Sequence, residues 1–202
     1  MIKLTRPTCP CPKALLDGNY KHPTNKSALA KSANFKCMYC ESKISHVNFG
    51  HVEHIKPKAQ ELFPELEFEW TNLGYVCDRC NVAKASKYDA DCEFIDPYKE
   101  DPGTHIEAYG ALVLERDASA RGELTINELN LNRTDLVERR DMRIRSIQKA
   151  INAAMRAPNA AVRQSALNEI CMEIAPDKEY SLIVEAFLKH KGVLTSSTTC
   201  GS

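Results

Sequence analysis

The C-terminal third of the chain shows the clearest periodic pattern of apolar residues. Apolar side chains recur every three or four positions from residue 132 to Pro158, which predicts a long amphipathic helix that the proline ends. The same spacing predicts a second helix over residues 160–174, closed by Pro176, and a third over residues 178–190. We therefore expect a helical subdomain in this part of the chain.

That helical subdomain is predicted to cover residues 132–194. A disordered tail, residues 195–202, is expected after it because this stretch is rich in Ser and Thr. Residues 1–34 contain several prolines, cysteines and lysines and only two weak helical stretches, at 14–16 and 25–32. We interpret them as a basic N-terminal extension.

The first part of the central region has shorter apolar runs. A β-type run covers residues 47–55 and is stopped by a proline. Residues 61–70 are acidic and suit a surface loop or a short irregular element, and residues 71–76 form a short apolar approach to a cysteine pair. One or two helical turns fit residues 80–88.

Farther along, the pattern predicts three more strand-like runs, at residues 106–109, 111–114 and 123–126. Residues 117–122 suit a hairpin connection between the last two of them. Short strands in the middle and helices at the C-terminal end predict the α+β fold class.

Charge is unevenly distributed although the formal net charge of the chain is zero. Residues 1–60 carry ten Lys or Arg and three Asp or Glu, whereas residues 61–101 carry four basic and eleven acidic side chains. This distribution excludes a uniformly basic nucleic-acid binder. It leaves open a local basic face toward phosphate, or a partner that completes the binding surface.

No apolar run approaches the ~18 residues of a membrane span, and the N-terminus does not resemble an export signal. We therefore expect a cytoplasmic bacterial protein without a membrane partner. In such a compartment the nine cysteines are expected to be thiols or metal ligands instead of disulfides.

Four of the cysteines form two Cys-x-x-Cys pairs, Cys37/Cys40 and Cys77/Cys80. Two residues between thiolates allow a tight turn to present both sulfurs to one ion, so the pairs predict a closed, structural Zn²⁺ site. The alternative is four buried reduced cysteines. The 36 residues between the pairs exceed the spacing of a zinc ribbon, which indicates an insertion.

The insertion contains the residues best suited to catalysis. Residues 50–58 read Gly-His-Val-Glu-His-Ile-Lys-Pro-Lys, residues 70–73 read Trp-Thr-Asn-Leu, and residues 77–84 read Cys-Asp-Arg-Cys-Asn-Val-Ala-Lys. Hydrolysis of a phosphodiester needs a water activated near neutral pH, for which histidine is suited by its pKa. It also needs a cation, and carboxylate and amide oxygens are ligands that Mg²⁺ accepts.

In order and spacing, these motifs resemble the HNH nucleases, the ββα-metal or His-Me finger family. The resemblance implies that His54 is the general base and that Glu53 and Asn81 are ligands of a catalytic Mg²⁺ or Mn²⁺. It implies that Asn72 ties a loop to the strand that carries the base. The expected HNH nuclease domain with its β-containing extension covers residues 35–131.

Other residues of these motifs are candidates for contact with the substrate. Lys56, Lys58 and Lys84 could contact phosphates, although single lysines are more often only solvated. His51 could contact metal or substrate, or face the solvent. Since neighbours on a regular strand point to opposite sides, we expect an irregular backbone at the adjacent residues Glu53 and His54.

Downstream motifs resemble a subset of HNH proteins from bacterial anti-phage defence, the PtuB-like effectors of Septu systems. They are Phe-Ile-Asp-Pro at 94–97, Asp-Pro at 101–102 and Leu-Asn-Leu-Asn-Arg at 129–133. The resemblance implies a PtuA-like, ABC-type ATPase as partner and nucleic acid, DNA or RNA, as substrate. Four arginines between residues 135 and 148 suit an ordinary solvated helix, or docking to an acidic partner or nucleic acid.

The sequence thus predicts a zinc-stabilised HNH endonuclease with a helical C-terminal subdomain, acting in bacterial defence. The alternative is a zinc-stabilised module that binds nucleic acid or protein, has lost its nuclease activity, and serves as a scaffold for the ATPase.

Overall fold

A two-stranded antiparallel sheet lies at the centre of the fold in the computed structural model, which describes residues 1–44 and 50–194. Strand β1 (His51–His54) pairs with β2 (Leu73–Val76) in an unbroken register. All four residues of β2 are buried. The irregular backbone expected within this part of β1 is not present, since bends follow only at residues 55 and 56.

Gly74 in β2 allows the segment with the first cysteine pair to lie directly on this sheet. A Cβ atom at Gly74 would be 2.2 Å from Met38 Sδ, and the amide of Met38 donates a hydrogen bond to the carbonyl of Tyr75 at 3.0 Å. The second cysteine pair follows β2 immediately. The sheet therefore brings together two cysteine pairs that are far apart in sequence.

Three short helices surround the sheet. Helices α1 (Pro12–Leu16) and α2 (Pro23–Ser32) both begin at a proline, whose fixed φ suits the first helical position. Helix α3 (Asp78–Lys84) starts beside the second cysteine pair. Both α2 and α3 pack against β1, so the N-terminal extension and the HNH motif meet at this strand.

The acidic stretch before β2 forms irregular structure, as its sequence predicts. It contains two single 3₁₀ turns, Pro64–Leu66 and Trp70–Asn72. The side chain of Glu69 caps the second turn by accepting hydrogen bonds from the amide and hydroxyl of Thr71.

A second hairpin follows, in which β3 (Ile106–Tyr109) pairs with β4 (Leu112–Glu115). The strand predicted over residues 123–126 is wrong, because these residues lie within helix α4 (Ala120–Glu128). Ser119 caps this helix by accepting a hydrogen bond from the amide of Gly122 at 3.1 Å. Two of the three predicted strands in this region are thus present, with ends that differ by one residue at most.

Three helices complete the chain, close to where the apolar spacing predicts them. They are α5 (Thr134–Met155), α6 (Ala160–Cys171) and α7 (Ser181–His190), and a 3₁₀ turn, Met172–Ile174, continues α6. The side chain of Asn159 caps α6 by accepting from the amide of Val162 at 2.9 Å.

The arginines of α5 make mostly intramolecular contacts. Arg140 is 2% exposed, and its Nη1 donates to the carbonyl of Leu131 at 2.8 Å. Arg143 pairs with Glu173, and Arg145 pairs with Asp141 one turn away. The helix therefore offers less free positive charge than its sequence suggests.

Hydrophobic packing crosses both predicted domain boundaries. One cluster of buried residues extends from Met1 through the sheet and the hairpin to Leu136 and Ile183, and a second lies among α5, α6 and α7. The limits at residues 34/35 and 131/132 remain predictions from sequence, and the extension contributes to the same core as the HNH motif.

A buried polar cluster also ties distant segments together. Glu41 accepts from the ammonium of Met1 at 2.7 Å and from the hydroxyl of Ser181 at 2.8 Å, and it pairs with Lys36 at 3.4 Å. Burial alone would raise the pKa of Glu41, but the two ammonium groups outweigh it and lower this pKa to about 2. The charged carboxylate thus links the first cysteine pair to α7.

Two predictions fall outside the described residues: the beginning of the β-type run, at residues 47–49, and the disordered tail, residues 195–202. Among residues 1–44 and 50–194, no helix combines the length and apolar character that crossing a membrane requires.

Candidate active site

Four thiols meet between the two cysteine pairs and form what we term the Cys₄ cluster: Cys37, Cys40, Cys77 and Cys80. Their four Sγ atoms lie within 4.8 Å of one another, and those of Cys40 and Cys77 are 3.8 Å apart. Sulfurs bonded at ~2.3 Å to one tetrahedral zinc ion are about 3.8 Å apart. The cluster therefore has the donor set and the spacing of a structural zinc site.

Positive charge lies against this cluster from the start of α5. Arg133 Nη1 lies 3.8 Å from Cys80 Sγ. Burial alone would lower the pKa of Arg133, but the negative charge of Cys80 and Cys40 outweighs it and raises this pKa. If zinc were bound, the four cysteines would be thiolates, and a cation in this position would offset part of their charge.

A cavity of about 250 Å³ lies beside β1. It is lined by Tyr20, Lys21 and Lys26, by residues 50–54, and by Asn81. All residues of β1 line it, so Glu53 and His54 border one space although the strand is regular. A larger cavity of about 770 Å³, near Met1 and Lys189, contains none of the predicted site residues.

His54 is held by one ring nitrogen, which leaves the other available. Its Nε2 lies 2.9 Å from the backbone carbonyl oxygen of Glu67. Since a carbonyl only accepts hydrogen bonds, Nε2 carries the proton and Nδ1 carries the lone pair. Burial lowers the pKa of His54, which favours the neutral ring that a general base requires.

Glu53 forms a buried ion pair with Lys84, whose side chain is fully buried. Lys84 Nζ lies 2.9 Å from Glu53 Oε1 and donates to the carbonyl of His54 at 2.9 Å. Burial raises the pKa of Glu53, and Lys84 opposes that rise. The expected contact of Lys84 with phosphate is therefore wrong. Its ammonium is enclosed by the protein and holds Glu53 and His54 of β1 in place instead.

Asn81 and His51 differ in how firmly they are held. Among residues 1–44 and 50–194, the side-chain amide of Asn81 has no hydrogen-bond partner, so its oxygen is available at the cavity. His51 Nε2 lies 3.5 Å from Asp78 Oδ1 in a solvent-exposed pair. The structure thus places His51 at the rim of the cavity, beside the start of α3.

Asn72 lies behind the cavity and joins the loop to the chain after β1. Its Oδ1 accepts from the amide of Lys56 at 2.8 Å, and its Nδ2 donates to the carbonyls of Lys56 at 2.9 Å and Leu66 at 3.2 Å. All these bonds are internal, so Asn72 acts on the site through the backbone that carries His54.

Lys56 and Lys58 are both paired with carboxylates. Lys56 Nζ lies 2.7 Å from Glu93 Oε1, and this bond raises the pKa of Lys56. Lys58 pairs with Glu67, and its Nζ lies 4.4 Å from the ring centroid of Tyr20. Neither lysine is among the residues that line the cavity.

The N-terminal extension supplies cavity residues that the sequence pattern does not identify. The ring of Tyr20 packs edge-on against the His54 ring, with centroids 4.6 Å apart, and helps to bury it. Lys21 and Lys26 also line the cavity. These residues precede the first cysteine pair and match no motif, so only the basic charge of the segment could have indicated them.

Comparison with known proteins agrees with this geometry. Residues 37–87, which include both cysteine pairs and β1, match the model of the HNH endonuclease family. This segment, which we call the HNH domain, is therefore similar in sequence to HNH endonucleases. Tyr20, Lys21 and Lys26 lie outside the matched residues, although they line the cavity of the HNH domain.

Relatives in bacteria match well beyond the HNH domain. The chain is 28% identical over 233 aligned positions to the Septu protein PtuB of Bacillus thuringiensis, covering 98% of this chain and 88% of that protein. It is also 28% identical to the Septu protein PtuB of Bacillus mycoides (strain KBAB4), over 64% of this chain and 55% of that protein. The similarity to the first protein includes the extension and the C-terminal helices.

Proposed function

We propose that the chain is a metal-dependent endonuclease that hydrolyses phosphodiester bonds of nucleic acid. The observation that carries the proposal is the single cavity lined by His54, Glu53 and Asn81 inside an HNH domain. A module that only binds has no need to bury a neutral histidine beside a carboxylate and a free amide. The alternative, a binding module that has lost its activity, is left to the test.

In the proposed reaction, His54 Nδ1 accepts the proton of the attacking water. The carbonyl of Glu67 keeps the ring in the required tautomer, and the burial of the ring by Tyr20 keeps it neutral. Lys84 positions Glu53 through their ion pair and holds the carbonyl of His54, so both residues are fixed relative to each other.

The residues fit two metal ions with different tasks. The Cys₄ cluster would hold a structural Zn²⁺. Glu53 Oε2 has no hydrogen-bond partner among the residues that the structure describes, and with the oxygen of Asn81 it offers the hard ligands of Mg²⁺ or Mn²⁺. When bound, such a cation neutralises charge on the phosphate and the leaving oxygen.

We further propose that the protein is the nuclease component of an anti-phage defence system. Support comes from the similarity to two Septu proteins named PtuB, one of which aligns with nearly the whole chain. In that role the chain would act with a PtuA-like, ABC-type ATPase, and phage infection would trigger cleavage. Copurification with such an ATPase tests this part.

The test is cleavage of labelled duplex DNA, single-stranded DNA and RNA with Mg²⁺ or Mn²⁺, alone and with any copurifying ATPase. We expect the wild type to cleave at least one substrate and His54→Ala to lose cleavage with its zinc content unchanged. His190→Ala, an exposed histidine on α7, is the matched control and should keep the activity. Cleavage retained by His54→Ala would move the base elsewhere, with His51 next. No cleavage by the wild type in any condition would favour the binding module.

The pH dependence gives a second readout. Because burial lowers the pKa of His54, the ring is neutral down to a lower pH than an exposed histidine, whose pKa is about 6.5. The single-turnover rate should therefore rise with pH through a pKa below that value and be level above it. A rate that rises only above neutral pH would contradict His54 as the base.

A further inference from the structure

The lysines of the HNH motifs are poorly placed to bind substrate phosphates. Lys56 is paired with Glu93, Lys58 with Glu67, and Lys84 with Glu53, so each lysine already faces a carboxylate. A nucleic-acid strand would have to displace a carboxylate to gain the charge of any of them. The site therefore needs its positive charge from another source, because phosphate contacts supply much of the affinity for nucleic acid.

Two other lysines line the cavity without such partners. Lys21 and Lys26 come from the N-terminal extension, and neither forms an ion pair within residues 1–44 and 50–194. Lys21 is exposed and Lys26 is half-buried. They are the two lysines among the residues that line this cavity, together with Asn81.

The segment that carries these lysines is fixed to the protein. Asn25, between them, is fully buried and exchanges two hydrogen bonds of 3.0 Å with the backbone of Cys11. Leu29 and Ala30, farther along α2, belong to the hydrophobic core. Because these contacts fix the backbone of residues 21–26, the fold itself holds the two lysines beside the cavity.

The start of α2 adds to this positive charge. The first turn of the helix contains no acidic residue, and no side chain caps it. The partial positive charge of a helix N-terminus is therefore not offset locally, and Lys26 lies in the same turn.

These charges are close to the proposed general base. Lys21 Nζ is 5.4 Å from the ring centroid of Tyr20, which is 4.6 Å from that of His54. The ammonium is therefore no more than about 10 Å from the centre of the His54 ring, within reach of a phosphate next to the one that His54 would face.

We propose that Lys21 and Lys26 bind backbone phosphates beside the scissile one, so that the segment 20–26 forms one wall of the substrate channel. The ligand is the sugar–phosphate backbone of the strand to be cut. The inference rests on the proposed nuclease function, which it extends to residues outside the HNH domain.

The experiment measures binding of the full-length zinc-loaded protein to labelled duplex DNA, single-stranded DNA and RNA of about 20 nucleotides at several NaCl concentrations. It uses the His54→Ala background, which prevents cleavage during binding. We expect Lys21→Gln/Lys26→Gln to bind at least about tenfold more weakly at 50 mM salt than its parent. The slope of log K against log salt should fall by about 0.7–0.9 for each lost phosphate contact. The substrate that shows the largest loss identifies the bound strand as DNA or RNA.

Two matched variants make the result specific. Lys31→Gln removes an exposed charge from the far end of the same helix and should leave slope and affinity unchanged. Lys21→Arg/Lys26→Arg keeps both charges and should retain the slope, with zinc content and melting temperature confirming the fold of each variant.

An unchanged slope in the double glutamine variant, or an equal loss in Lys31→Gln, would overturn the inference and leave the nuclease proposal intact. Failure of the wild type to cleave or bind any of the three nucleic acids would overturn both proposals together.

Discussion

At the scale of single residues, buried charge around the HNH cavity is arranged in complementary contacts. Glu53, next to His54 on β1, forms a buried ion pair with Lys84, and the ring of Tyr20 packs against the imidazole of His54. Each contact fixes a functional group without using its reactive atom. Among the described residues, Glu53 Oε2, His54 Nδ1 and the side-chain amide of Asn81 have no hydrogen-bond partner, as the proposed reaction requires.

Lys84→Met tests this arrangement through stability. The substitution leaves a buried carboxylate without its cation, which typically costs about 3–5 kcal/mol. Without Lys84 the pKa of Glu53 should rise further, because the ammonium is the contact that opposes the effect of burial. Urea unfolding at pH 7 without added magnesium measures the loss.

Lys87→Met is the matched control for that substitution. Lys87 pairs with Glu128 at 2.7 Å on the surface, where both side chains are about half exposed. An exposed pair contributes about 1 kcal/mol at most. Equal losses in the two variants would show that the buried pair has no special role.

At the scale of elements, the sequence predicted the long periodic helices well and failed for a short segment whose apolar pattern suits either a helix or a strand. The strand predicted at residues 123–126 is part of α4, because Ser119 caps a helix just before it. A short run of alternating residues cannot distinguish a strand from one face of a helix. The cap by Ser119 and the close contact of Gly122 with His105 stabilise the helix over the strand. The second of these contacts is distant in sequence, so a local pattern does not show it.

Gly122→Ala gives a prediction whose sign depends on such a contact. In an ordinary helix, alanine stabilises by about 1 kcal/mol over glycine. Here the added Cβ would lie 2.2 Å from the backbone oxygen of His105. A flexible side chain could move away from the new methyl group, but a backbone carbonyl in a packed segment cannot. We expect a net loss of about 1–3 kcal/mol in urea unfolding.

Asn127→Ala, at an exposed position of α4, is the control and should be neutral or slightly stabilising. If Gly122→Ala were as stable as the wild type, the close approach of α4 to His105 would be contradicted.

The candidate site shows the same division between sequence and structure. The order of Cys, His, Asn and Cys motifs was sufficient to predict the Cys₄ cluster and to select Glu53, His54 and Asn81, which the structure places around one cavity. It could not predict Tyr20, Lys21 and Lys26, whose positions depend on how the extension packs. Nor could it reveal that Lys84 is enclosed, since burial depends on the whole fold.

At the scale of the whole molecule, the Cys₄ cluster lies within a core that extends from the N-terminus to α7. Arg133 connects it to α5, and Glu41 connects the segment of its first cysteine pair to α7. The extension, the HNH domain and the last helix therefore share one set of buried contacts around the cluster.

Cys40→Ser should accordingly lose zinc and the cooperative thermal unfolding transition. Structural zinc sites contribute about 10–16 kcal/mol of binding free energy, more than most domains have in reserve. Metal analysis and circular dichroism measure the two effects. Cys92→Ser, at a half-buried cysteine outside the cluster, should keep one zinc per chain. An intact transition in Cys40→Ser without zinc would contradict a structural role for the ion.

The contact of Arg133 with Cys80 has a consequence for how a cell would monitor this protein. Helix α5 begins beside the cluster, so a zinc ion that holds the four sulfurs together would also help to position this helix. In a newly made chain that lacks zinc, this helix would not be packed in its native position. Apolar side chains that are otherwise buried, such as Leu136, would then be exposed to proteases and chaperones. Metal loading would then act as a maturation checkpoint, which a molecule passes before the core around β1 is complete.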